Sequence, residues 1–433
     1  MEVAHPRCCG LDVHKKTVAA CVAIHQQGRQ HKYRKRFGTT WRKLQRLAEW
    51  LKEHAVTHVA MESTGVYWKP VWNVLEGQFE LVLANAQLVK ALEGEKTDTK
   101  DSAWIADLLQ HGLLRGSFVP GEQQRDCRDL TRLRQELVQD SNRVANRIQK
   151  VLEDANIKLS SVASDTLGRS GRDMLQAMIE GETGAEKLAD LARGVLRKKL
   201  QQLQAALEGR IREHHRVMLK HLLEQWEFLE GKIGEVEEEI RTQMLPFQEA
   251  IAHLDSIPGV NETVAWTLVA ELGVDMRRFG SAARAAAWAG LCPGNHESAG
   301  KRLSGRTRRG NRYLRRVLVQ SAWTANRGQG TYLQAQFRRF IARLGKKRTA
   351  VAVAHTILTI AYHLLDRHED YRERRRLLRT PRSSTHHSAS SGQARTARPS
   401  RYSPACYGSR ALAFSRECHC CTLKRAPYRD RVH

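Results

Sequence analysis

Four acidic residues in three segments of the chain have the types and order that metal-dependent phosphodiester chemistry requires. Asp12 ends a β-rich run and Glu62 ends a second one. Asp98 and Asp101 open a helical segment, and residues three apart on a helix share a face. Mg²⁺ and Mn²⁺ prefer hard oxygen ligands, and two-metal reactions at phosphorus need several of them together.

Each of these carboxylates also has an ordinary structural interpretation. An aspartate after a strand is usually a turn residue, and acidic residues in a first helical turn usually cap the helix. Four carboxylates that meet, however, would repel one another unless they held a cation. The sequence therefore predicts a site for Mg²⁺ or Mn²⁺. Its ligands would be Asp12, Glu62, Asp98 and Asp101.

Ser298 has surroundings that suit a nucleophile at phosphorus, although its position alone favours a turn or helix-cap role. It follows Pro293-Gly294 in a loop of small residues, where a backbone can approach a phosphate closely. A serine hydroxyl is weak unless a base or metal activates it, and we expect the carboxylate site of the other domain, or of another protomer, to do so. Ser304 is the nearest competitor, and a turn or helix-cap role is the structural alternative.

Basic residues surround this serine on its C-terminal side. Cations can stabilise the charge on a phosphoryl group under attack and can position a DNA backbone. The predicted DNA contacts are Lys301, Arg302, Arg306, Arg308, Arg309, Arg312 and Arg315.

The segment from Asp255 to Asn261 resembles a helix-hairpin-helix turn. In such a turn, backbone amides hold a phosphate without reading bases, and Gly259 would approach the DNA. Asn261 stands where a second glycine is usual, and asparagine tolerates the left-handed geometry of that position. A plain connection between two helices is the alternative.

The elements that must position these residues follow from hydrophobic periodicity. Between about residues 7 and 110, three strands joined by tight turns precede alternating helices and strands. This order predicts an α/β domain with a mixed sheet flanked by helices. The predicted strands are Cys8–Val13, Thr17–Ile24, Lys32–Phe37, Thr57–Glu62 and Phe79–Asn85, and the predicted helices are Trp41–Glu53 and Val66–Leu75.

Apolar residues then recur in steps of three and four, which is typical of helices. From Leu196 to Ile240 they predict one long coiled-coil-like helix that ends before Pro246 and serves either dimerisation or an intramolecular hairpin. A small all-α domain follows, and the last stretch has the composition of a disordered, basic tail. The predicted domains are residues 1–120, 121–250, 251–370 and 371–433.

The formal net charge of +26 over 433 residues indicates a polyanionic partner, of which nucleic acid is the commonest. A membrane surface is the alternative, but the sequence predicts neither a span of roughly 18–20 apolar residues nor a signal peptide. Nine scattered cysteines favour reduced thiols in the cytoplasm. A metal site at Cys418-His419-Cys420-Cys421 is disfavoured because paired CxxC spacing is missing.

In order and spacing, these motifs resemble transposases of the insertion-sequence 110/116/902 type. The resemblance covers about residues 7–365, and it implies a RuvC-like variant of the ribonuclease H fold whose four acidic residues bind the metal. It also implies that Ser298 becomes covalently joined to DNA. The matching segments are Gly10-Leu11-Asp12-Val13-His14-Lys15, Glu62-Ser63-Thr64-Gly65 with Tyr67, Lys96-Thr97-Asp98-Thr99-Lys100-Asp101, and the run from Phe279 to Arg315.

The resemblance also implies partners. DNA is the expected substrate, and some members of the family are directed by a structured RNA that the element encodes. A dimer or tetramer in the bacterial cytoplasm, associated with the nucleoid, is the corresponding expectation. Two other functions fit the same residues: a RuvC-like junction endonuclease that uses metal and water with no covalent step, and a non-catalytic, decayed nucleic-acid-binding protein.

Overall fold

The computed structural model describes residues 3–62, 65–84, 98–114, 116–294, 296–298 and 301–373. At residues 98–100, 296–298 and 301–303 the backbone alone is described. The predicted tail lies outside these ranges from residue 374 onward, and the cysteine cluster lies outside with it. Contacts divide the chain into two compact units, Met1–Gly121 and Glu122–His433.

The first unit is built on a six-stranded sheet with the order β3-β2-β1-β4-β5-β6. β1, β2 and β3 form an antiparallel meander, β1, β4 and β5 pair in parallel, and β6 pairs antiparallel with β5. Tight turns can join only antiparallel neighbours, whereas parallel neighbours need a longer crossover. The predicted mixed sheet is therefore confirmed. The strands are β1 Arg7–Val13, β2 Thr17–Gln26, β3 Arg29–Gly38, β4 His58–Glu62, β5 Glu80–Ala84 and β6 Gly116–Ser117.

The two faces of this sheet differ, because successive side chains on a strand point to opposite sides. One face carries large apolar residues such as Leu11 and Met61, which pack against α1 (Trp41–Glu53) and α2 (Trp68–Leu75). The other face carries small residues and packs against α3 (Asp98–Gln110). Small side chains let a helix backbone come close to the sheet, and this decides where the first turn of α3 lies.

The second unit contains a pair of long helices, α4 (Glu122–Asp154) and α9 (Glu213–Gln243). Their contacts progress in opposite directions, so the two helices are antiparallel. The contacts are Arg134 with Glu237, Ser141 with Glu230, and Asp154 with His215. The sequence left dimerisation and an intramolecular hairpin open, and within this chain the two helices form the hairpin.

The chain between the two long helices forms a smaller group of helices, here called the tip, with an apolar core of its own. The predicted unbroken helix from Leu196 to Ile240 is wrong, because the chain leaves the helical path between α8 and α9. There, a Cβ on Gly209 would lie 2.5 Å from the carbonyl oxygen of Ala155, so contact with the end of α4 overrides the periodicity. The tip consists of α5 Leu159–Val162, α6 Arg169–Glu180, α7 Ala185–Asp190, the 3₁₀ segment Gly194–Lys199 and α8 Leu200–Leu207.

The C-terminal part of the second unit is mostly helical and surrounds a core that includes Trp266 and Phe337. The expectation of an all-α domain needs correction, because a two-stranded antiparallel hairpin lies within it, β7 (His296–Ser298) and β8 (Lys301–Ser304). The hairpin is polar, so no apolar alternation marked it in the sequence. The helices are α10 Gln248–Asp255, α11 Glu262–Leu272, α12 Ala282–Trp288, α13 Arg312–Arg327 and α14 Tyr332–Arg367, with 3₁₀ segments at Leu245–Phe247 and Met276–Arg278.

By length and composition alone, α14 could span a membrane, which the sequence did not predict. Half of its most apolar window is nevertheless buried inside the unit, where Val353 and Ile357 belong to the core. Gly345, at φ 72 and ψ 166, also breaks its helical path. The core helix of a globular protein meets the same criteria, and the packing favours that interpretation.

Candidate functional site

The first two predicted metal ligands lie at the C-terminal ends of neighbouring parallel strands. Leu11 of β1 is the partner of Met61 of β4, so one residue further the same register puts Asp12 beside Glu62. Residues two apart on a strand share a face, and Ala60, two before Glu62, packs against α3. The two carboxylate residues therefore share the α3 face of the sheet.

Helix α3 brings its first turn to the same end of the sheet. A Cβ on Gly10 would lie only 2.2 Å from the carbonyl oxygen of Ser102, so the helix rests directly on β1. Further back on the strand, the Cys8 thiol donates to the carbonyl oxygen of Ala106 at 3.5 Å. Later residues of α3 thus lie along earlier residues of β1, and the helix runs antiparallel to the strand. Its first turn, with both predicted aspartates, lies at the Asp12 end.

The surroundings of these residues differ in burial. Asp12 is 9% exposed, and its Oδ2 lies 3.0 Å from Nε2 of the exposed His14. Asp101 is half-buried in the first turn of α3, where the positive end of the helix dipole favours a carboxylate. Asp98 is the first residue of that helix, described by its backbone alone. The preceding Lys96-Thr97 lies outside the described residues.

This donor set fits a hard divalent cation. Asp12 and Glu62 are acidic residues on adjacent strands, one of them largely buried, and such a pair repels unless a cation or proton compensates it. Aspartate and glutamate oxygens are the ligands that Mg²⁺ and Mn²⁺ take in proteins. The residues brought together by β1, β4 and α3 therefore suit such an ion in type.

A further group of potential ligands lies in the second unit, and sequence reasoning did not single it out. The ligand atoms of Asp154, His214 and His215 lie within 4.8 Å of one another. However, Nδ1 of His215 accepts the backbone N–H of Arg212 at 3.3 Å, so a neutral ring carries its proton on Nε2, which lies 2.7 Å from Asp154. That proton occupies the atom a metal would need. The contacts are those of a helix cap that joins the start of α9 to the end of α4.

Ser298 is the last residue of β7 in the C-terminal hairpin, and it pairs in register with Lys301 of β8. The sequence predicted a loop at this position, and the structure corrects this to a strand end. The hydroxyl of Ser304, the competing serine, accepts the backbone N–H of Arg306 at 3.2 Å. Ser304 therefore has a structural role at the end of β8.

Close glycine contacts fix the hairpin to the neighbouring helices. A Cβ on Gly310 would lie 2.3 Å from the amide nitrogen of Gly290, which itself has a left-handed φ of 71°. Nearer the strands, the Gly294 amide donates to the carbonyl oxygen of Arg306 at 2.8 Å. Only glycine allows backbones to approach this closely. The base of the hairpin is thus held between α12 and α13.

The predicted DNA-binding arginines divide into two groups. Arg315 donates to the carbonyl oxygen of Gly290 at 3.1 Å and to Oγ1 of Thr307 at 2.8 Å, so it holds the base of the hairpin. Arg312 donates to the hydroxyl of Tyr313 at 2.6 Å. Arg312 is exposed, and so are Arg306, Arg308 and Arg309, whereas Arg315 is half-buried. Lys301 and Arg302 lie on β8, with the backbone alone described.

A buried ionic network fixes the start of α13, and sequence reasoning missed it. The side chain of Glu271 in α11 is fully buried, and Arg132 of α4 donates to both of its oxygens, at 2.7 and 2.9 Å. Arg128 adds a contact of 3.2 Å, and Asn311 donates at 2.6 Å. Asn311 is the N-cap of α13. A glutamate within the apolar helix Glu262–Leu272 was the available signal, since a buried charge demands partners.

The Pro-Gly turn before α11 packs closely against α13. Gly259 has a φ of 89°, and a Cβ there would lie 2.6 Å from the carbonyl oxygen of Ser321 and 2.7 Å from the amide of Ala325, both in α13. The glycine is required for packing against that helix. Asn261 is extended, at φ −125 and ψ 174, and its side chain caps α11 by accepting from Val264 at 3.2 Å. The left-handed geometry predicted for Asn261 is wrong.

Two matches to protein-family models cover the segments that carry these residues. A transposase family model with the Asp-Glu-Asp-Asp designation matches residues 9–157, and a model of IS116/IS110/IS902 family transposases matches residues 251–338. The chain belongs to this transposase family. The four acidic residues fall in the first match, and Ser298 with its basic neighbours falls in the second.

Curated relatives of this transposase carry the same description. A Pseudomonas aeruginosa protein described as a family 20 transposase is 26% identical over 321 residues, which are 72% of this chain and 85% of the relative. The transposase for insertion sequence element IS1111A of Coxiella burnetii is 27% identical over 297 residues, 67% of this chain and 72% of the relative. The protein is a DNA transposase, and its excess of exposed cations suits a DNA substrate.

Proposed function

We propose that this transposase cuts and rejoins DNA with a divalent-metal site in an RNase H-like, RuvC-like first unit and a serine nucleophile in the second. The observation that carries the proposal is the convergence of β1, β4 and α3 at one end of the sheet. The antiparallel meander followed by parallel strands supports the RNase H-like assignment. The residues that would hold Mg²⁺ or Mn²⁺ are Asp12, Glu62, Asp98 and Asp101.

In the proposed step, the Ser298 hydroxyl gives its proton to a base and its oxygen bonds to a DNA phosphorus. The bond from phosphorus to one deoxyribose oxygen breaks, and that oxygen leaves as an alcohol after taking up a proton. The resulting phosphoserine link preserves the bond energy, so a second DNA hydroxyl can reverse the step and rejoin strands. A bound divalent cation would supply charge stabilisation at the phosphoryl group. The exposed arginines after β8 would hold the flanking backbone.

A covalent adduct is the decisive product. The full chain is incubated with the junction DNA of its own element in Mg²⁺ or Mn²⁺, and the products are run on a denaturing gel. Wild-type protein and Ser304→Ala should give a protein–DNA adduct, and Ser298→Ala should give none. Asp12→Asn should abolish both adduct and cleavage, because it removes a ligand charge without changing size.

The other outcomes identify the two alternative functions. Cleavage that requires Asp12 but leaves no adduct, and that persists in Ser298→Ala, would indicate a junction endonuclease that uses water. DNA binding that is unchanged in every variant, with no cleavage by the wild type, would indicate a non-catalytic nucleic-acid-binding protein.

The proposal extends to a structured RNA encoded by the element, because a net charge of +26 exceeds what a few DNA phosphates would neutralise. Ribonuclease treatment of the purified protein should then abolish recombination, and full activity without RNA would contradict this part. We also propose a dimer or tetramer acting at the nucleoid in the cytoplasm. Light scattering of the protein with and without DNA measures that assembly.

A further inference from the structure

A cation lies in the same row of the sheet as the proposed metal ligands. Across β3, β2 and β1, the residues paired in this row are Arg36, Ala19 and Asp12. The row continues on β4 and β5 with Glu62 and Ala84. Side chains of paired residues share a face of the sheet, so Arg36 lies on the α3 face together with the two carboxylate residues.

The spacing allows Arg36 and the carboxylate site to contact one nucleic-acid strand. Neighbouring strands are ~4.8 Å apart, so the Cα atoms of Arg36 and Asp12 are separated by roughly 10 Å. Ala19, with a single methyl group, is the residue between them in the row. Arg36 is exposed, and its long side chain ends in a planar group that binds phosphate oxygens in pairs.

The other cations on this face of β3 are engaged within the protein. Lys32 forms an ion pair of 2.6 Å with Asp107 of α3. Arg34 lies beside the thiol of Cys21. Burial raises the pKa of this thiol, and the hydrogen bond from Arg34 offsets only part of the rise. Within the described part of the chain, Arg34 and Arg36 both have no carboxylate within ion-pair distance, and Arg36 is the one in the row of Asp12. Its charge is available for an external anion.

Protection of the sheet edge is the competing explanation, because cations on an edge strand discourage pairing between molecules. β3 is an edge strand, and its residues from Arg29 to Arg36 are all exposed. That role does not depend on the position along the strand, so Arg29, at the other end, fulfils it equally well. The row shared with Asp12 and Glu62 is what distinguishes Arg36.

We propose that Arg36 binds the DNA phosphate next to the one held at the carboxylate site and so fixes the strand for reaction. This inference rests on the proposed function, since the carboxylate site must hold a phosphodiester for Arg36 to position its neighbour. Lys15 and Lys16, exposed in the turn between β1 and β2, add positive charge at the same end of the sheet. The ligand is the phosphodiester backbone, bound without regard to base.

Binding of the full chain to a synthetic DNA duplex without divalent metal provides the test. The magnitude of the negative slope of log affinity against log salt falls by about 0.9 for each DNA phosphate that the protein no longer neutralises. Arg36→Ala should lower this slope by that amount and weaken binding on the order of tenfold, and Arg36→Lys should retain the slope. Arg29→Ala removes an equal charge roughly 24 Å further along the strand and should leave the slope unchanged.

A second measurement needs no variant, so it does not depend on the folding of Arg36→Ala. Phenylglyoxal modifies exposed arginines, and bound DNA should protect Arg36 while leaving Arg29 reactive in the wild-type protein, as peptide mass spectrometry would show. An RNA of the same sequence is tested in parallel.

The outcomes separate this inference from the proposed function. Equal salt slopes for Arg36→Ala and wild type, or equal modification of the two arginines on DNA, would overturn the role of Arg36 and leave the proposed function standing. Protection by RNA alone would overturn the assignment to DNA. Failure of the wild type to bind DNA at all would remove the proposed function as well.

Discussion

The contact between Gly10 and α3 gives a prediction that links packing to the carboxylate site. In Gly10→Ala, the new Cβ would lie 2.2 Å from the carbonyl oxygen of Ser102, whereas ordinary contacts begin at 3.4 Å. The opposing atom is backbone, so no side-chain rotation can relieve the clash. The helix must move away from β1 by roughly 1 Å.

Two effects of different size follow from this displacement. Overpacking costs about 1–3 kcal/mol, so the first unit should still fold. The first turn of α3 moves with the helix, however, and a misplacement of ~1 Å at a reacting centre can reduce the rate on the order of a hundredfold. Metal-dependent DNA cleavage by Gly10→Ala should therefore fall about a hundredfold, with a weaker affinity for Mn²⁺.

Titration calorimetry with Mn²⁺ and circular dichroism on the same samples measure the two effects separately. Gly116→Ala in β6 is the matched control, because its new Cβ would meet its nearest neighbour, in Val82, at an acceptable 3.5 Å. It should alter neither metal affinity nor cleavage. A folded Gly10→Ala protein that binds Mn²⁺ as tightly as the wild type would refute the argument that α3 positions the aspartates.

Three further changes test other parts of the structure. Glu271→Gln should destabilise the second unit by about 3–5 kcal/mol because the half-buried Arg128 and Arg132 lose the charge of their fully buried partner, whereas Glu262→Gln, at the exposed start of the same helix, should change it by at most ~1 kcal/mol. Scanning calorimetry measures both, and equal effects would contradict the network. The hydrogen bond from His215 lowers the pKa of Asp154 below its ordinary 3.8, so it stabilises the fold above that pH and is lost as the pH falls through the folded value. Asp154→Asn should therefore flatten the acid side of a plot of melting temperature against pH. Burial raises the pKa of the Cys8 thiol to about 12, so iodoacetamide at mildly alkaline pH should label Cys8 only after unfolding, and mass spectrometry of the native protein would detect any earlier labelling.

Local patterns were enough to predict most of the first unit. The helix Trp41–Glu53 has the predicted bounds, and the first three predicted strands lie within the observed ones, because each element buries a regular set of apolar residues. The acidic ends of β1 and β4 were predicted as site residues for the same reason. Their register was not predictable, since helix α1 separates these strands in the chain and periodicity carries no information on pairing.

The errors arose where contacts distant in sequence decide the local structure. The break at Gly209 depends on the end of α4, which lies more than fifty residues earlier. The β7–β8 hairpin is polar and is held by Gly290, Gly310 and Arg315 rather than by burial of its own strands. Asn261 was assigned a turn conformation, although asparagine is equally suited to begin a helix, which is its role here.

Because α4 and α9 run in opposite directions, the length of the hairpin that they form is adjustable. With 33 residues, α4 extends roughly 50 Å, and the chain returns along it to the level where the Cys127 thiol lies 3.7 Å from the carbonyl oxygen of Gln243. Removing equal whole turns from both helices at facing positions, such as Ser141 and Glu230, would draw the tip inward. The contact between Cys127 and Gln243 would stay undisturbed. Insertions and deletions matched in this way could therefore change the length of the hairpin in evolution without disturbing the arginines that hold Glu271.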